Sequence, residues 1–281
     1  GSTLLESGGL EQLKAVLLDP DYVSLEIWVQ QSLIAFLVAG ILALAVWRAR
    51  RLAFEQAKLA RERANLTRYF SPSRAEELAH SAAAVGSVRQ QQVAVLFVDI
   101  VGFTRMCETL PPTSVIGLLR EFHRRMAAAV FAHGGTLEKY IGDAVMATFG
   151  TPEAAPDDAA RALACTRAML GSIAEWNAER RLAGKRAIRI AIGAHHGEVV
   201  LGDVGDERCM EFAVLGDTVN VASHLESLCR DLGAAITVSD GLLARARDAG
   251  ADRALEGFVT SEPQRLKKRS DPVRIWTLDA I

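Results

Sequence analysis

Charge is in near balance over this chain and missing from one long stretch of it. The 281 residues carry 32 lysines and arginines against 34 acidic side chains, a net charge of −2. No basic footprint for nucleic acid is present, which excludes that partner for the chain as a whole. Cysteine is scarce. Cys107, Cys165, Cys209 and Cys229 show neither the paired spacing of a disulfide framework nor that of a metal site, and they read as reduced thiols in a cytosolic domain. No internal repeat and no low-complexity tract is present. The pair His195-His196 is no metal signature either, because adjacent residues on a strand point to opposite faces; a structural or turn role fits it better.

The stretch without charge is Ile27–Trp47. As a helix it would be roughly 31 Å long, the thickness of a bilayer's hydrocarbon core. Trp28 and Trp47 stand at its ends, where interfacial aromatics are favoured. The alternative is a buried helix in a soluble protein. A signal peptide fits less well, since the preceding residues are acidic (Glu6, Glu11, Asp19, Asp21 and Glu26 against Lys14). Basic residues dominate the other flank: Arg48, Arg50, Arg51, Lys58, Arg61, Arg63 and Arg68 against Glu55 and Glu62. Positive charge stays inside. The expectation is one pass through the inner (plasma) membrane, with the large C-terminal part cytoplasmic. About 25 outward residues are too few for a folded sensor domain. Gly1-Ser2 leaves open whether the natural chain begins further upstream.

These patterns divide the chain into a short extracytoplasmic segment (1–24), a transmembrane helix (25–47), a cytoplasmic helical linker (48–88) and a large domain (89–281). A short amphipathic helix fits 9–18. In the linker, Leu52, Leu59 and Leu66 recur every seven residues, suggesting a short parallel coiled coil; the alternative is a single helix lying along anionic headgroups. Ser71-Pro72-Ser73 breaks this helix and starts another over 73–84.

Strands and helices alternate after residue 92. Val93–Asp99 is a continuous apolar run, as in a strand buried on both faces. Residues 112–133 and 156–182 read as helices. Thr136–Tyr140 and Ala144–Phe149 form a hairpin around Ile141-Gly142-Asp143. Ile188–Ala194 and Glu198–Leu201 read as two strands, and Asp217 as the cap of a helix running to Asp231. Ala235–Val238, a helix over 240–248, and strands near 257–260 and 272–278 complete the pattern.

Two aspartates carry the chemistry. Asp99 closes the apolar strand and is delivered at the sheet edge, with Gly102 just beyond it. Asp143 sits at the hairpin tip, and the hairpin can pair beside the first strand. Two convergent carboxylates form an oxygen-rich site suited to Mg²⁺ or Mn²⁺. A lone aspartate at a strand end is commonly a turn former; the pair is what points to metal.

Three segments in order resemble the catalytic domain of class III nucleotidyl cyclases, the adenylate and guanylate cyclase family. They are Val93–Thr104, Glu138–Met146 and Phe212–Glu226, with Lys139 four residues before Asp143. The resemblance covers 90–280. It implies an α+β fold with a ferredoxin-like βαββαβ core and extensions, here preceded by a transmembrane helix and a coiled-coil segment. It also implies two divalent cations per site, Mg²⁺ or Mn²⁺, held by Asp99, Asp143 and the Ile100 carbonyl. Gly102, Phe103 and Thr104 resemble the phosphate-contacting loop. Lys139 resembles the purine-selecting lysine of adenylate cyclases, and Lys267 the lysine reaching the terminal phosphate; solvated surface lysines are the alternative for both. Asn220 resembles the asparagine that orients the ribose.

The chain departs from the family twice. His224, one helical turn after Asn220, stands where the family carries an arginine that stabilises the transition state. Either His224 contributes little or another cation such as Arg230 substitutes. Ala213 stands where adenylate cyclases carry a side chain facing the adenine amino group, so selectivity would rest mostly on Lys139 and backbone. The family places each site across a dimer interface, which implies a homodimer held through the linker and the catalytic domains. The activity implied is conversion of ATP to 3′,5′-cyclic AMP and pyrophosphate by a membrane-anchored adenylate cyclase, with a membrane or upstream sensor as possible partner. The alternatives are a guanylate or mixed-specificity cyclase, and a weakly active nucleotide-binding signalling partner.

Overall fold

The computed structural model describes residues 25–66, 88–206, 209–265 and 272–279; at 25, 58–66, 209 and 210 it describes backbone alone. The chain divides into two compact units, residues 1–69 and 70–281.

In the first unit, α1 (Leu25–Leu66) is one helix of 42 residues. It runs unbroken through position 47, where the sequence suggested a boundary. Within its Glu26–Ala57 stretch an 18-residue window has a mean hydropathy of 2.1, and none of that window is buried within the chain. Length and composition suffice to cross a membrane. Leu52 is 54% exposed, and the side chains of Leu59 and Leu66 lie outside the described residues, so no coiled coil is shown. The helices expected over 9–18 and 73–84 also lie outside them.

The second unit is a mixed α/β fold on an eight-stranded sheet. Its elements are β1 (Arg89–Ile100), α2 (Phe103–Cys107), α3 (Pro112–Ala132), β2 (Thr136–Ile141), β3 (Ala144–Phe149), α4 (Asp158–Leu182), β4 (Ile190–Asp206), β5 (Cys209–Leu215), α5 (Asp217–Leu232), β6 (Ile236–Ser239), α6 (Asp240–Asp248), α7 (Asp252–Leu255), β7 (Val259–Gln264) and β8 (Val273–Leu278). The strand order is β2-β3-β1-β4-β6-β8-β7, with β5 paired to β4. The β2-β3-β1-β4 half is antiparallel throughout and is the βαββαβ core the sequence implied.

The strand β1 is central because its apolar run serves both faces. Ala94, Leu96, Val98 and Ile100 pack with Leu118, Phe122 and Met126 of α3 and Leu163, Met169 and Ile173 of α4. Val93, Val95 and Phe97 point the other way, to Met146, Val199, Leu201, Val214 and Ala222. Pro112 opens α3 at a position where its missing N–H costs nothing. Helix α5 lies on the second face, with Val221 and Leu225 buried as the sequence reading required, and Leu228 packed beside them.

Some expectations need correction. The strands expected at Ile188–Ala194 and Glu198–Leu201 are one strand, β4, so His195-His196-Gly197 is not a turn. His195 Nδ1 lies 2.7 Å from Ser239 Oγ, a structural contact. β5 escaped the sequence reading: Gly197, Gly202 and Gly205 interrupt the alternation that would mark the β4–β5 hairpin. Helix α5 is capped by Gly216, not Asp217; Asp217 is its first residue, where a carboxylate complements the helix dipole. Cys165 and Cys229 are free, buried thiols, pushed up by burial to about 12 and about 11.

Helix α5 approaches β4 closely at Gly193. A Cβ there would stand 2.1 Å from Glu226 N and 2.3 Å from Ala222 O. Only a bare Cα lets the helix sit at this depth, and this depth sets where Glu226 and Arg230 emerge.

Candidate active site

Strand register brings the two aspartates together. Val98 of β1 faces Val145 of β3, so Asp99, one residue on, reaches the turn that holds Asp143. The two carboxyl groups lie close enough for Asp99 to act on the Asp143 carboxyl. Burial first, then the hydrogen bond and charge of Asp99, push the Asp143 carboxyl up to about 7; the amides of Asp143 and Ile100 pull it partly back. Two such groups so close cannot both be ionised cheaply, and the proton is held on Asp143.

Asp99 is engaged on both oxygens. Oδ1 accepts from the Ile100 amide at 2.7 Å. Oδ2 accepts from Arg230 Nη2 at 2.6 Å, and the same nitrogen donates to Glu226 Oε1 at 3.2 Å. Glu226 is buried on α5; burial, then the charge of Asp99, raises its carboxyl, and Arg230 opposes them. The chain beyond Asp99 turns at Gly102, whose φ of 76° lies in the left-handed region that glycine tolerates. Gly102 caps α2, with Phe103 and Thr104 in its first turn. The Phe103 ring packs against the core and anchors the loop, while first-turn amides have no acceptor inside a helix.

This oxygen set fits a hard divalent cation. Among the described residues no group of three or more histidine, cysteine or acidic side chains could hold a metal. Two carboxylates with phosphate and water completing the shell is the usual arrangement for Mg²⁺. The fit has a pH signature. The raised pKa of Asp143 means that the native state holds a proton that the unfolded chain, near the ordinary value of 3.8, has released. Stability of the metal-free protein should therefore fall as pH rises from about 4 through about 7. Melting curves across that range should show the decline, Mn²⁺ should reverse it at the upper end, and Asp143→Asn should make it shallower, leaving the part due to Glu226. An equal slope in the variant would show that Asp143 does not hold the proton.

A second group of residues lies between β2 and β5. Lys139 Nζ forms an ion pair with Glu211, both side chains well exposed. Glu211 stands two residues before Ala213 on the same strand and so on the same face. Ala213 is half-buried and pairs with Gly202. On α5, Asn220 is exposed and His224 half-buried. Lys267 lies outside the described residues. Arg230, the alternative cation for His224, pairs with this chain's own Asp99.

The sequence reading missed Glu211 and Glu226 as partners of site residues. Each had a signal: Glu211 by strand period from Ala213, Glu226 by its four-residue spacing to Arg230.

A family model described as the adenylate and guanylate cyclase catalytic domain matches residues 85–252. Adenylate cyclase 1 of Rhizobium meliloti (strain 1021) is 33% identical over 159 residues, 57% of this chain and 24% of that protein. The adenylate cyclase of Anabaena cylindrica is 30% identical over 202 residues, 70% of this chain and 38% of that protein. The chain thus spans well under half the length of these curated relatives. Among solved structures, the adenylyl cyclase CyaB from P. aeruginosa is similar with a TM-score of 0.60 at 27% identity, over 68% of this chain and 95% of that one. The guanylyl cyclase Cya2 gives 0.59 at 30% identity, over 69% and 93%.

Proposed function

Starting from the fact that this chain belongs to the adenylate and guanylate cyclase catalytic-domain family, we propose that it is a membrane-anchored adenylate cyclase that acts as a homodimer. The observation that carries the reading is the close pair of carboxyls, Asp99 at the end of β1 and Asp143 in the turn between β2 and β3. The reaction joins the ribose 3′ oxygen to the α-phosphorus, breaks the bond from that phosphorus to the bridging oxygen, releases pyrophosphate, and gives the hydroxyl proton to solvent. Two cations, when bound, lower the pKa of the attacking hydroxyl and neutralise the triphosphate.

The chain's own residues do the rest. Asp99, Asp143 and the Ile100 carbonyl hold the cations. The Gly102-Phe103-Thr104 loop offers amides to phosphate oxygens, and Lys267 reaches the terminal phosphate. Lys139 donates to the purine. Asn220 and His224, on the outer part of α5, serve the partner copy's nucleotide: Asn220 orients the ribose, and His224 meets charge developing on the α-phosphate. Helix α1 would hold the catalytic unit at the inner membrane, and the 48–88 linker would align two copies.

Ala213 favours a second reading, loose purine selectivity, because it offers no side-chain hydrogen bond to the base. His224 in place of an arginine favours a third, a feeble enzyme that mainly binds nucleotide, since imidazole lacks the planar fork of donors with which a guanidinium grips phosphate. Turnover of the purified chain with ATP or GTP and Mn²⁺ separates these. Lys139→Glu should lower the ATP/GTP ratio of kcat/KM about tenfold, roughly the worth of one base contact, with only partial gain on GTP. An unchanged ratio would show that Lys139 does not face the base.

A further inference from the structure

Asp99, which the proposed function makes a cation ligand, is held in this chain by a cation of its own. Arg230 Nη2 stands 2.6 Å from Asp99 Oδ2 and 3.2 Å from Glu226 Oε1. The Arg230 side chain is 45% exposed, while those of Asp99 and Glu226 are 18% and 10% exposed. One guanidinium is thus suspended between two sheltered carboxylates, one at the end of β1 and one on α5. Asp99 and Arg230 are 131 residues apart in sequence, and the tight seat of α5 at Gly193 brings them together.

We propose that Arg230 is a built-in competitor for the divalent cation at Asp99: it neutralises the carboxylate while the site is empty and swings back onto Glu226 when a metal arrives. Arg230 is a positioning residue here, acting through Asp99 and touching neither nucleotide nor reacting atoms. The exchange is physically cheap in one direction. Arg230 loses one charge-assisted hydrogen bond to Asp99 but keeps Glu226, already within reach four residues away on the same helix face. Two effects weaken metal binding in its presence: the bond that must break, and repulsion between a guanidinium and a dication within a few ångströms. The metal requirement of the protein is therefore set partly by a residue outside the ligand set. A second internal ion pair, Lys139–Glu211, gives the base-reading lysine the same kind of internal counter-ion.

The inference rests on the reading of Asp99 and Asp143 as cation ligands, and one experiment separates the two. Mn²⁺ binding to the nucleotide-free full chain is followed by the loss of the free-ion electron paramagnetic resonance signal, for wild type, Arg230→Gln, Arg230→Lys, Glu226→Gln and Asp143→Asn. Arg230→Gln should bind Mn²⁺ about tenfold more tightly. Arg230→Lys, which restores the charge, should return toward the wild-type value. Glu226→Gln should bind more weakly, because the guanidinium loses its alternative seat. Asp143→Asn should lose the site and so verifies that the ligand set is right. Equal or weaker binding by Arg230→Gln, with Asp143→Asn defective, overturns the competitor and leaves the metal site standing. Wild-type binding that survives Asp143→Asn, or no binding by any protein, overturns both.

Discussion

Replacing Asp99 or Asp143 by alanine should lower cyclic nucleotide formation at least a thousandfold, about 4 kcal/mol of transition-state stabilisation, and Asp143→Ala should do so without lowering the melting temperature. The second half of that expectation carries the weight. A buried carboxylate that only braced the fold would cost stability when removed. Asp143 instead makes no bond to a cation among the described residues: burial, then the neighbouring Asp99, push its carboxyl up to about 7. Removing it relieves that cost, so metal-free Asp143→Ala should be as stable as wild type or more so, while Asp99→Ala also gives up the ion pair with Arg230. Activity assays with saturating Mn²⁺ and ATP, paired with melting curves, check both. A variant that unfolds, or one that keeps near-wild-type turnover, would remove the pair from the site.

The second large effect is expected at a residue with no side chain. Gly193→Ala drives a Cβ into the backbone of α5, 2.1 Å from Glu226 N and 2.3 Å from Ala222 O. Backbone cannot rotate away as a side chain can, so the helix must lift from the sheet. A cost of about 3 kcal/mol is in line with overpacking, a fall of roughly 10 °C in melting temperature. Turnover should fall as well, because α5 carries Asn220 and His224 and sets the position of Arg230. Gly171→Ala on α4 is the control: nothing lies within 4 Å of its Cβ, and alanine suits a helix better than glycine. It should be neutral or slightly stabilising. If both variants melt alike, the close seat of α5 is not what fixes the site.

Much of this was legible in the chain itself, for physical reasons. The run Val93–Val98 alternates between two cores, so a strand apolar on both faces had to be central, and Asp99 had to emerge at its end. Gly142-Asp143 between two apolar runs forces a hairpin. Val221, Leu225 and Leu228 gave the inner face of α5 by helical period. What stayed hidden needed pairing across the sheet. The length of β4 was masked by glycines that break alternation but not hydrogen bonding. The bond from Arg230 to Asp99 joins residues 131 apart, and Lys139 to Glu211 joins residues 72 apart; no local pattern records either. Gly193 looks like any strand glycine until the helix above it is placed.

Cyclisation of ATP is the work proposed for the carboxylate pair. The most direct test is to incubate the purified full chain with ATP and Mn²⁺, resolve nucleotides by chromatography with mass detection, and measure pyrophosphate in the same sample. 3′,5′-Cyclic AMP and pyrophosphate should form in equal amounts, and both should be absent with Asp99→Ala. ADP and phosphate as the products, AMP without the cyclic nucleotide, or no turnover at any Mn²⁺ concentration would contradict it.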